Sequence, residues 1–135
     1  MQKYNLTACI FFALFVLLSC GPKKSRDIDV SKIQNACDCL NASQIILNEL
    51  LDFKAEFLSV ESQLMQLTGD ITKERELDQK IELISKGISP VIDKFFEIME
   101  VCEKIPQPEY ENCDLNLEQL QEQFKEVEVF FVNVN

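Results

Sequence analysis

Apolar residues return along the middle of this chain at alternating steps of four and three. Ile46, Leu50, Phe53, Phe57, Val60, Leu64 and Leu67 keep that rhythm, and extending it backwards reaches Ser43 and Cys39. A period between 3.5 and 3.6 residues is the signature of one buried stripe on a long helix. After "TGDITKE" a second stripe begins: Leu77, Ile81, Ile84, Ile88, Val91, Phe95, Ile98 and Cys102. Gly69 and Asp70 lie between the two, where Asp70 or Thr72 is suited to cap the second helix by accepting an orphan amide hydrogen bond. The pattern predicts an antiparallel helical hairpin.

Folding the chain at Gly69-Asp70 with equal rise on both sides pairs residues whose numbers sum to 141. Val60 then meets Ile81, Phe53 meets Ile88, Ile46 meets Phe95, Leu64 meets Leu77, Phe57 meets Ile84 and Leu50 meets Val91. All of these pairs are apolar, and the next in the register is Cys39 with Cys102. A seam position in a close-packed hairpin suits the short Cα separation a disulfide needs, so this bridge is predicted. Cys37 points about 200° away from Cys39 on the same helix and needs another partner. It heads a second stripe, Cys37, Leu40, Gln44, Leu47 and Leu51, which turns polar at Lys54 and Glu61. The second helix has a matching stripe at Ile92, Phe96 and Met99, whose earlier counterparts Ser85, Asp78 and Glu74 are polar.

Both helices therefore carry an extra apolar face only in the half near Cys39 and Cys102. The remaining segment supplies a cover for it. Pro106 and Pro108 end the second helix, Cys113 follows, and Leu117, Leu120, Phe124, Val127 and Phe131 recur at helical steps. A helix of about 18 residues spans roughly 27 Å against about 45 Å for either long helix, so it covers one half only. A Cys37–Cys113 bridge would fix its start on the stripe it buries. The tail "VEVFFVNVN" also alternates like a strand, but no second strand candidate offers it a ladder. Pro90 removes a helix hydrogen bond, at a cost of about 3 kcal/mol, and Gly87 weakens the same stretch. A kink is expected because the stripe continues in phase, the alternative being a new helix with Ser89 as its N-cap and Pro90 as its first residue.

The expected fold is all-α: a long, coiled-coil-like antiparallel hairpin over 28–105, a shorter third helix over about 114–131, and two disulfides. Past residues 54 and 88 the hairpin has no third helix above it. Phe57, Leu64 and Leu77 lie on its seams there, with Leu58, Met65 and Leu83 beside them, and contiguous apolar surface of this kind marks a candidate partner-binding site. The bland reading is that the seams satisfy one another and long polar side chains cover the edges.

Chemistry and location come from the rest of the chain. The sequence has no histidine, which removes His-dependent nucleophilic catalysis and the commonest transition-metal ligand. No glycine-rich phosphate loop appears, and acid clusters such as Glu97, Glu100 and Glu103 read as solvated helix surface. No enzyme activity, metal or cofactor is expected. Cys37 and Cys39, one residue apart, suggest an alternative in a thiol carrier or disulfide-exchange factor. An even count of pairable cysteines favours structural bridges instead.

Ahead of all this, Leu6 to Leu18 forms an apolar run interrupted only by Thr7, preceded by Lys3 and ending Leu17-Leu18-Ser19-Cys20-Gly21. The run has the length of a secretory signal core, not of a membrane span. Its end resembles the lipobox of bacterial lipoproteins. That resemblance implies cleavage after residue 19, a covalent lipid on Cys20, a tether over 20–27, and a single domain over 28–135. It implies a place in the bacterial cell envelope, in the outer membrane of a two-membrane host because Gly21 follows the cysteine. Loss of residues 1–19 removes one lysine and no acid, leaving 12 basic against 23 acidic residues and a formal charge of −11. Nucleic acid and anionic lipid are thereby disfavoured as main partners, because both require cationic surface. The expected protein is a membrane-anchored, non-catalytic binding or scaffolding module, tethered by its base, that meets an unknown protein partner or a second copy of itself.

Overall fold

The computed structural model describes residues 24–134. Two long helices, α1 (Ala36–Met65) and α2 (Ile71–Cys102), form the hairpin, and α3 (Leu117–Val134) lies along α1. Short 3-10 turns at Ser25–Asp27 and Val30–Lys32 precede α1, and another over Gln107–Asn112 leads into α3. Signal and lipobox, with Cys20, fall outside the described residues.

Local chemistry explains where each helix starts. Asn35 caps α1 by accepting a hydrogen bond from the Asp38 amide at 2.9 Å, and the Asp38 carboxylate accepts from the Gln34 amide just before the helix at 3.0 Å. Of the two candidate caps for α2, Asp70 takes the role, accepting from the Lys73 amide at 3.1 Å. Gly69 turns the chain with φ +81°, a conformation that costs glycine nothing. Asn116 caps α3 by accepting from the Gln119 amide, which starts that helix at residue 117, three later than expected.

The seams close as predicted. Ile46 and Ile98 are fully buried, and Val60, Leu77, Ile84 and Val91 nearly so. Each such side chain contributes about 2 kcal/mol relative to exposure. Helix α2 runs unbroken through Pro90, with Ile84 before it and Val91 after it both in the core, so Ser89 does not cap a separate helix. Gly87 has a packing reason that propensity alone conceals. A Cβ there would lie 2.9 Å from the Phe53 ring, so the glycine lets an aromatic residue of α1 sit against the α2 backbone.

Two disulfides tie the base of the hairpin, Cys39–Cys102 with Cα atoms 5.8 Å apart and Cys37–Cys113 with 5.3 Å. The first pairing is the one the register predicts, and the second is the one expected from the opposite helix face of Cys37. Just below them the Tyr110 hydroxyl donates to the Cys102 carbonyl at 3.1 Å, and its pKa is raised by burial and by neighbouring Glu109.

Two covers lie on opposite faces of this half. Helix α3 inserts Leu120 and Val127 into the core and is linked to α1 by Gln44–Gln123 at 2.8 Å and Lys54–Glu126 at 2.6 Å. The other cover is the segment before α1, which the sequence pattern assigned to tether and hairpin. Ser25 is buried and its amide donates to the Glu49 carboxylate at 2.7 Å, while Ile28 joins the core with Val30 and Ile33 packed beside it. The folded domain thus extends to Ser25, three residues upstream of the expected boundary at 28.

Candidate functional site

The six residues singled out as a partner surface divide three ways. Leu77 is only 2% exposed and belongs to the core of the hairpin, so it is unavailable as a contact residue. Phe57 and Leu64 are half-buried against Val60, Leu77 and Ile84. Leu58, Met65 and Leu83 stand exposed, at 43%, 76% and 67%. These three do not form one patch. Leu58 and Met65 each follow a seam residue of α1 by one position, whereas Leu83 precedes a seam residue of α2 by one. In antiparallel helices whose seams face each other, those steps of about 100° bring the side chains out on opposite faces.

Known contacts identify the faces. Gln44 and Lys54, one position after Ser43 and Phe53, bond to α3; Glu49, one position before Leu50, bonds to Ser25. Leu58 and Met65 therefore share the face that carries α3, and Leu83 lies on the face that carries the N-terminal turns.

Another apolar surface lies on the α3 face, partly at positions the sequence pattern assigned to the interior. The stripe Ile92, Phe96 and Met99 was expected to be buried by the third helix. Instead α3 packs along α1, held there by the Gln44 and Lys54 links, and its backbone nowhere comes close to that of α2 among the described residues. Ile92 still packs against the core, but Phe96 is left 65% exposed, with Met99 and Phe124 also open. Phe95 lies between the two exposed rings, its centroid 6.0 Å from each of Phe96 and Phe124. This aromatic shelf has acidic neighbours: Asp93 and Glu100 lie one helical turn either side of Phe96, and Glu128 one turn after Phe124. All three are exposed.

Farther along the same face, α1 and α3 frame an open groove lined by Lys54, Phe57, Leu58, Glu61, Lys125 and Phe130, among others. The Phe57 and Phe130 rings meet edge-to-face at 5.5 Å, so the end of α3 reaches past the point where the predicted cover stopped. The signal for the shelf was present in the sequence as the Ile92-Phe96-Met99 stripe. What was missing was the choice α3 makes between the two secondary stripes, which includes polar links between distant residues.

The two closely spaced cysteines do not act as one pair. Cys37 and Cys39 point to different partners on different elements, and both are consumed in disulfides. Among the described residues no group of three or more His, Cys, Asp or Glu side chains is placed to hold a metal ion, and no helix is long and apolar enough to cross a membrane. Set against known proteins, the chain matches no family, no curated protein and no solved structure.

Proposed function

We propose that this protein is a lipid-anchored, non-catalytic binding module of the bacterial cell envelope, whose working surface is the α3 face of the hairpin. The observation that carries the binding role is the shelf of Phe96, Met99 and Phe124. Large apolar side chains grouped on the surface of a braced domain are a recurrent mark of protein recognition, and aromatic residues are the usual anchors. The anchor rests on the sequence ending LLSCG after an apolar run too short to span a bilayer.

The rim narrows the partner's chemistry. Asp93, Glu100 and Glu128 around apolar rings favour a segment that pairs apolar residues with lysine or arginine, such as a basic amphipathic helix. A second copy of this chain is a poorer fit, since both surfaces would be acidic.

Two measurements test the proposal. Changing Cys20 to Ser is expected to move the protein from the membrane fraction to the soluble fraction with its disulfides intact. A photo-reactive residue at position 96 or 124 is expected to yield a discrete adduct with a protein partner in intact cells, and one at Lys80 on the other face is not. Adducts of equal yield from both faces would remove the shelf from consideration.

A further inference from the structure

We infer that the anchored rod lies on its side against the bilayer, with the N-terminal face and Leu83 toward the lipid and the aromatic shelf turned away. The inference rests on the lipid anchor proposed above, and adds a geometry to it. Ser25 does not sit at the base of the hairpin. Its amide is bonded to Glu49, which is thirteen residues into α1, so the chain climbs back along the hairpin before it leaves the folded domain. At 1.5 Å per residue, Glu49 is about 20 Å from the start of α1 and about 24 Å from its end. Five peptide units join Cys20 to Ser25, and fully extended they span at most about 18 Å. Neither end of the rod can be lowered onto the membrane without pulling that link taut. A side-on arrangement requires only that the link cross the thickness of the N-terminal turns.

The patch around Leu83 has chemistry that suits a lipid interface. Leu83 is 67% exposed, and its neighbours one turn away in each direction are Gln79, Lys80, Lys86 and Gly87. Lys80 and Lys86 flank it, Lys86 also pairing with Glu82 at 2.6 Å, while the acids Asp52, Glu56 and Glu76, each one position before a seam residue, stand exposed elsewhere on this face. A leucine between lysines suits the lipid interface, where the apolar group enters the acyl boundary and the ammonium groups reach phosphate. Phe96, by contrast, has Asp93 and Glu100 at the same spacing and would be repelled by an anionic surface. A rod held this way presents its acidic, aromatic face outward to a partner.

The chain contains no tryptophan, so a single introduced one reports unambiguously. Full-length lipidated protein carrying Leu83→Trp, Leu58→Trp or Phe96→Trp is reconstituted in phosphatidylethanolamine and phosphatidylglycerol vesicles containing brominated acyl chains, and flotation is scored in the same samples. The tryptophan at position 83 is expected to shift to the blue and to lose about half or more of its emission, as befits a side chain within 5–10 Å of the acyl boundary. Those at 58 and 96 are expected to remain unquenched. Inserting fifteen Gly and Ser residues after Gly21 should relieve the quenching at 83 while the protein still floats. Flotation with all three positions equally quenched or unquenched overturns the side-on geometry and leaves the anchor standing. Failure to float overturns both.

Discussion

The two halves of the hairpin are built from the same seam and end in different states. Near the disulfides, α1 and α2 are covered on one face by α3 and on the other by the turns around Ile28, and a continuous core runs from Ile28 and Leu40 to Ile98 and Val127. Toward Gly69 the buried set shrinks to Val60, Leu77 and Ile84, flanked by half-buried Phe57, Leu64, Leu67 and Ile81. Periodicity alone does not separate these halves. Two helices bury one line of side chains between them, and a wider core requires a third element to close it.

The comparison can be broken most forcefully at the base. Replacing Cys39 and Cys102 together by Ala opens a loop of 63 residues, and the chain-entropy model puts the loss at about 4 kcal/mol, reduced to the extent that Cys37–Cys113 still restrains the unfolded chain. Denaturant unfolding measures it, and retained helix content by circular dichroism shows that the fold survives. A matched pair of core truncations sharpens the contrast next. Ile46→Ala should cost about 4 kcal/mol because covered neighbours cannot collapse into the cavity, and Leu77→Ala about 2 to 3 because two helices can close toward each other. Equal losses would mean that the distal half is as tightly enclosed as the proximal one.

The smallest effect is expected where the halves join. Gly87→Ala adds a methyl group 2.9 Å from the Phe53 ring, and displacing the ring should outweigh the better helix propensity, for a net loss of about 1 kcal/mol. In a Phe53→Leu background the same change should become neutral or stabilising by about 0.5 to 1 kcal/mol. Thermal unfolding of the four proteins closes the cycle. A persistent loss without the ring would assign the glycine some other role.

Much of this arrangement was legible in the residues. The four-and-three spacing gave two helices, the sum of 141 gave their register, and opposite helix faces separated Cys37 from Cys39. These features depend on repeats or on local geometry. The N-terminal turns escaped because Ser25, Ile28, Val30 and Ile33 follow neither a helical nor an alternating period, so nothing marks them as interior until the hairpin gives them a surface. Gly87 read as a weak point because the Phe53 ring that occupies its missing side chain is 34 residues away. The aromatic shelf escaped for a third reason. Apolar stripes on α1 and α2 competed for one short helix, and cross-helix pairs such as Lys54 with Glu126 favoured the first.

The disulfides are nested, with 39–102 lying inside 37–113. Every residue from 40 to 101 thus belongs to a closed covalent ring whose far side is the turn at Gly69. A protease that cuts the chain once anywhere on that ring opens a loop and releases nothing. The two pieces stay linked at the base, and each helix keeps its partner. Such a molecule can be damaged at its most accessible turn and remain one object, until a reductant separates what the cut could not.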